Sequence, residues 1–375
     1  MAEKQGSAGV ASAHAQRFLV LDTWRGIAAL TVAFGHFKTN GWLSSLPLAS
    51  ASYRLVDFFF VLSGFVIAHS SARRVSLGPR EASRFLVRRF FRLWPLHVFI
   101  LMLFFAYQVA VAAANLLGIV EKPVAFSGSF SLRWLPHNLL LVQAWETTPY
   151  NTWNEPAWSI STEVFAYLTF VLVFSCLGSF AYWACAALFV GTFCLAASSP
   201  DVMTATYTWA IVRCLVGFHA GVAVYWLWST VKSATVPAAT WVEVSAVAAL
   251  LAAVIYLPLR FGVFVVPVFC ICVFVFAFEQ GRISRGLRQG PLVWLGDRSY
   301  SIYLGHAFLL TAVYANAALL GRLGKLESGK TGLLAPAIVS DLLIVLFLSA
   351  TVAFSALTYR FVEDPGRRAG RLVRM

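Results

Sequence analysis

Ten stretches of apolar sequence, each near the length that crosses a bilayer, restrict this chain to a membrane-embedded helical bundle. A spanning helix needs about 20 mostly apolar residues. Such runs lie near 18–37, 56–70, 93–117, 158–177, 180–198, 205–229, 241–259, 261–279, 299–320 and 333–359. The chain is 59% hydrophobic and only 12% charged. A soluble domain carries about 25% charged residues, so this chain cannot dress a water-facing surface. The predicted fold is an all-α polytopic bundle of about ten transmembrane helices.

The run that starts at Phe18 carries Asp22 and Arg25 and has no small-residue cleavage site, so it is expected to stay as the first helix. The predicted organisation is a cytoplasmic N-terminal tail over 1–17, a transmembrane domain over 18–362 and a basic cytoplasmic tail over 363–375. Only one connection is long, about 119–157, and it holds Pro123, Pro136, Pro149 and Pro156. Trp134, Trp145 and Trp153 in that connection suit either an interfacial belt or stacking on sugar rings.

The formal charge of +13 belongs to topology rather than to nucleic acid, because Lys and Arg gather in cytoplasmic loops. With the N-terminus inside, the inner segments hold 19 Lys and Arg and the outer segments 8, with Arg25 and Arg213 inside spans. Both termini are therefore expected in the cytoplasm. The six cysteines all lie in apolar stretches and have neither zinc-site nor disulfide-framework spacing. No HExxH or paired His–carboxylate spacing is present, so no metal is expected.

Ionisable residues inside spans are costly and point to function by default. Arg25 and His36 stand eleven residues apart on the first span, which returns them to nearly one helix face about 16 Å apart. Asp57 opens the second span and Glu163 the fourth, at a depth that would let both meet His36. A carboxylate beside an imidazole fixes its tautomer and makes it a better general base. The competing readings are an interfacial His at a helix end and carboxylates favoured by helix dipoles.

Seven Arg and no Lys occupy 73–92, with Arg88, Arg89 and Arg92 at the start of the third span. Arg forks grip phosphate bidentately whereas Lys acts as a point charge, so the cluster suits a phosphorylated ligand or anionic lipid. In the ninth span Ser299, Tyr303 and His306 form an i, i+4, i+7 stripe that must face the interior. Such a stripe lines a cavity or bonds helices together.

Taken in order, RGIAALTVAFGH at 25–36, DFFFVLSGFVIA at 57–68, RRFFRLWPLH at 88–97, WSISTE at 158–163, SYSIYLGH at 299–306 and YRFVEDPGRR at 359–368 resemble the integral-membrane acyltransferase family 3. That family acylates cell-surface polysaccharides, lipopolysaccharide, Nod factors and some macrolides. The resemblance maps its Arg-x10-His motif onto Arg25 and His36 and its Arg-x-x-Arg motif onto Arg89 and Arg92. It implies an enzyme of the bacterial inner membrane that takes an acyl group, acetyl foremost, from cytoplasmic acyl-CoA. The acceptor would be a hydroxyl of a cell-surface or lipid-linked carbohydrate.

In that frame His36 is the expected base, oriented by Asp57 or Glu163, or else a transient acyl carrier. Arg25 is expected to stabilise developing thiolate or oxyanion charge, and Arg88, Arg89 and Arg92 to hold CoA phosphates. Trp158, Ser161, Tyr303 and His306 are expected to line the substrate path. Two departures bear on substrate: Val164 and Phe165 directly follow Glu163, and Gly305 stands where the family often has Trp. Two other readings stay open, a transporter or flippase using Arg25, Asp57 and Glu163, and a structural membrane subunit.

Overall fold

The computed structural model describes residues 17–71, 78–119, 124–319, 321–326 and 329–373. The N-terminal tail as far as residue 16, Arg73 and Arg74 of the Arg-rich segment, and Lys122 lie outside the described residues.

The long helices are α1 (Leu19–His36), α2 (Leu55–Ser71), α3 (Pro79–Leu116), α4 (Ala157–Leu177), α5 (Ala181–Ser198) and α6 (Ala210–Val231). They continue with α7 (Ala239–Tyr256), α8 (Val265–Phe276), α9 (Ser299–Leu319), α10 (Ala337–Thr358) and a shorter α11 (Asp364–Leu372). Among the described residues, strand is confined to an antiparallel pair, β1 (Leu323–Lys325) and β2 (Thr331–Leu333). An all-helical build is what a bilayer demands, since helices satisfy their own backbone hydrogen bonds.

Seven helical stretches among the described residues are long and apolar enough to cross a membrane. One of them, Ala157–Ser198, is two helices divided at Gly178, whose positive φ ends α4 and turns the chain into α5. α1 and α9 fall outside that apolar criterion, and these two carry much of the polar interior described below. The surface is apolar where a soluble protein would be charged: Met102, Leu172, Trp183, Leu342 and Leu346 are each more than 60% exposed. Side chains of that size turned outward on several different helices suit lipid contact.

One end of the bundle is basic. There Phe18 meets His69 at the end of α2 and Trp228 at the end of α6, Arg17 pairs with Asp297 before α9, and Arg89 reaches Ser70. The opposite end is closed by the segment after α1 and by the strand pair, where Leu333 N–H donates to the Lys38 carbonyl and Tyr314 Oη accepts from Lys38 N–H.

Helices α2 and α6 lie in backbone contact. A Cβ on Gly64 would strike the Phe218 carbonyl, and one on Gly221 the Val61 carbonyl. Gly217 and Gly221 are thus a small-residue face of the kind that lets membrane helices approach closely. One turn before Gly217, Arg213 is brought against Asp57.

The C-terminal stretch is not a tail. Glu363 is 2% exposed, and α11 folds back against α3. The long connection is likewise built into the bundle. Trp153 is 3% exposed between Phe105 and Phe130, so it is a core residue and is not presented to a sugar. Trp145 donates its indole N–H to the Ser161 carbonyl of α4.

Candidate active site

A cleft with about 690 Å³ of empty space, part of it open to solvent, lies between α1, α2, α3, α4 and α9. Its polar lining includes Arg25, Arg89, Arg92, Glu163, Ser63 and Tyr167, with Ser159 and Tyr303 further along. Its apolar lining includes Phe59, Phe60, Val66, Ile67, Leu93 and Ile160.

Helix geometry decides which residues of α4 face this space. Ser159, Glu163 and Tyr167 are spaced by four and share a face. Glu163 Oε1 accepts from Tyr167 Oη at 2.5 Å and from the Ser63 hydroxyl. Trp158 and Ser161, expected to line the substrate path, do not. Each falls about 100° or more around the helix from that face. Trp158 lies beneath the Arg213 guanidinium, 5.1 Å from ring centre to Cζ. Ser161 Oγ accepts the Ala144 N–H and so pins the long connection to α4.

The stripe on α9 turns inward as its period requires. Ser299, Tyr303 and His306 are 3%, 5% and 0% exposed. Their partners follow in order along the bundle. Ser299 accepts from Arg25 Nε at 2.9 Å, Tyr303 Oη lies 2.9 Å from Ser159 Oγ, and the His306 ring lies 5.0 Å from the His36 ring between centroids. Arg25 and His36 therefore do face one interior line, with α9 alongside.

The expected orientation of His36 by a carboxylate is corrected. Both Asp57 oxygens are taken by Arg213, at 2.8 and 3.0 Å, and the pair is almost fully buried. Arg213 also donates to the Ala205 and Tyr53 carbonyls. Glu163 belongs to the cavity with the arginines. His36 instead engages the Val32 carbonyl through Nδ1 at 2.8 Å. That bond places the proton on Nδ1 and leaves the Nε2 lone pair available. The neighbour that sequence reasoning did not pair with it is His306, neither of whose ring nitrogens has a well-formed hydrogen bond among the described residues.

Arg25 also has fixed partners. It is held by Ser299 and by Asp22 Oδ1 at 2.7 Å, at the basic end of α1. Side chains on a helix lean toward its N-terminus, so both Arg25 and His36 lean the same way and the axial gap of about 16 Å stays open. Arg25 and His36 thus stand well apart along the bundle, each with its own partners.

A second cavity, with about 1100 Å³ of empty space partly open to solvent, occupies the basic end and shares Arg89 and Arg92 with the first. Arg84, Arg88, Arg367 and Arg371 complete its cationic lining. The last two come from α11. They were missed because the basic stretch after 362 reads as a tail, although its four-residue Arg spacing was visible. Glu363, also missed, accepts from Ser301 Oγ at 2.6 Å and lies 3.7 Å from Arg367.

The arrangement is a cationic vestibule that leads into a mixed apolar and polar passage, with two imidazoles beyond its far end. A family model described as an acyltransferase domain matches residues 18–360. The chain belongs to integral-membrane acyltransferase family 3. It is similar over 384 aligned residues, at 24% identity, to Acyltransferase MdmB of Streptomyces mycarofaciens, covering 92% of this chain and 90% of that one. It is also 39% identical over 101 residues to Protein 2 in picA locus of Rhizobium radiobacter. That match takes in 27% of this chain, and only about half, 51%, of the Rhizobium protein. No solved structure matches. The acyltransferase is thus a multi-pass membrane protein whose polar interior is concentrated on α1, α3, α4 and α9.

Proposed function

We propose that this acyltransferase transfers an acetyl group from cytoplasmic acetyl-CoA to a hydroxyl of a cell-surface or lipid-linked carbohydrate. On this reading it acts in the bacterial inner membrane with the basic end inside. The observation that carries the reading is the meeting of the two cavities at Arg89 and Arg92. A vestibule rich in guanidinium suits the phosphates of CoA. The narrower passage, with Phe59, Phe60, Val66, Ile67 and Leu93 along it, suits the slim pantetheine arm.

In the proposed step the acceptor hydroxyl loses its proton to His36 Nε2. The oxygen attacks the thioester carbonyl carbon, the C–S bond breaks, and the CoA sulfur leaves as thiolate and takes up a proton. In the neutral ring, the Nδ1–H bond to the Val32 carbonyl selects the tautomer whose lone pair is on Nε2. Tyr303, in reach of Ser159, lies on the way to the imidazoles and is suited to hold the carbonyl as charge develops on its oxygen. Arg25 and Glu163 then serve the donor arm rather than the acceptor. A transient acyl-His36 is compatible with the same groups, with the same bond changes divided into two steps.

The deciding experiment is ester analysis of the surface glycans of a deletion strain. The proposal expects the glycan to be present and an O-acetyl group to be missing, restored by the gene in trans. Loss of the whole glycan would overturn it in favour of a transporter.

Orientation has its own check. In a background lacking the native cysteines, Ser45→Cys, exposed beyond α1, should react with a membrane-impermeant thiol reagent on intact cells freed of the outer barrier. Ser233→Cys, exposed between α6 and α7, should react only after the membrane is opened. Reversed labelling would put the Arg vestibule on the side without CoA.

A further inference from the structure

The C-terminal helix makes its own contribution to the vestibule, and glycine spacing explains how it gets there. Pro95 lies inside α3 and cannot donate to the Phe91 carbonyl one turn back. That carbonyl and the Pro95 ring are what a Cβ on Gly366 would strike. Four residues on, a Cβ on Gly370 would strike Phe91, with Arg88 next. Gly366 and Gly370 thus form a flat strip on which α11 lies against α3. Their order along α3 shows that the two helices run antiparallel.

On the adjoining face Arg367 and Arg371 are four apart, and across from them on α3 stand Arg84, Arg88 and Arg92, also spaced by four. All five line the second cavity, together with Arg89. Two helices with the same rise per residue hold these guanidinium groups as two facing rows. Glu363 brings one carboxylate to this cluster, 3.7 Å from Arg367.

One row of arginines at the start of α3 would be enough for a diphosphate. Two facing rows offer a second, separate phosphate position. CoA has such a feature: besides its diphosphate it carries a 3′-monophosphate on the ribose, which adds about two negative charges. We propose that Arg367 and Arg371 hold that 3′-phosphate, while Arg88, Arg89 and Arg92 hold the diphosphate. This inference rests on the acyl-CoA reading and narrows it. The donor is a complete CoA thioester and not an acyl group carried on 4′-phosphopantetheine, which lacks the nucleotide.

The test is binding of CoA and of 3′-dephospho-CoA to the full chain in nanodiscs of zwitterionic lipid, by calorimetry. Charge-assisted bonds to a phosphate should make CoA bind about tenfold or more tightly than dephospho-CoA. In R367Q/R371Q that gap should close, with dephospho-CoA binding unchanged. R371Q alone removes an exposed side chain at the end of α11. It should close part of the gap without touching the fold, which guards against misfolding of the double variant.

Equal weakening of both ligands in these variants, or a gap that survives, would overturn the assignment while leaving the acyl-CoA reading intact. Failure of the wild type to bind either ligand would sink that reading and the assignment with it. A lipid phosphate is the other source of the same chemistry. If the α11 arginines serve lipid, the variants would lose co-purifying anionic lipid and keep the CoA to dephospho-CoA ratio, which also overturns the proposal.

Discussion

Replacing His36 by Ala is expected to abolish acyl transfer while the protein remains in the membrane at a near-normal amount. A general base contributes about 10²–10⁴ in rate. The structural cost should be small, because the only hydrogen bond of the His36 ring among the described residues is to Val32 of its own helix and the ring is only partly buried. Quantifying the glycan ester and the membrane-bound protein in one strain separates the two effects. Near-normal acylation at normal abundance would remove His36 from the chemistry. The choice of His36 over His306 follows from access: His306 is fully buried, so its loss would empty a packed site as well as change the chemistry.

Asp57→Ala should fail in the opposite way, losing protein rather than catalysis. Its carboxylate is the partner of Arg213, and the side chains are 1% and 2% exposed. Removing one member of a buried pair leaves a charge with no counter-ion and costs about 3–5 kcal/mol. The variant should therefore show low abundance and early thermal unfolding in detergent. Since replacing both members by apolar groups is often neutral, Asp57→Ala combined with Arg213→Met should recover much of the lost stability and also retain acylation. A stable, abundant Asp57→Ala protein with no activity would restore Asp57 to the catalytic list. The two variants together thus separate the intramembrane ionisable groups into one that acts and one that holds α2 to α6.

The helical periods were legible without coordinates. Residues that recur every three or four positions share a helix face in any helical fold, which is why the inward turn of Ser299, Tyr303 and His306 follows from spacing alone. Among the described residues the apolar runs also fall on long helices, although α3 begins well before its run, because backbone burial in lipid admits hardly any other element. The same local rule explains why Arg25 and His36 could be placed on one interior line.

Partner choice was not legible, because it depends on how helices rotate and slide against one another. Asp57, Glu163 and His36 all sit near polar helix ends, and depth alone allowed them to meet. The contact between Gly217 on α6 and Asp57 and Phe60 on α2 instead delivers Arg213 to Asp57. The rotation of α4 gives Glu163 to Ser63 and Tyr167. Likewise, a basic segment after the last long apolar run reads as a solvated tail. Only the fit of Gly366 and Gly370 against the Pro95 turn of α3 makes it a wall of the vestibule. Sequence spacing determined which residues travel together on each helix; tertiary packing decided which of those faces meet, since close approach is set by small side chains on two helices at once.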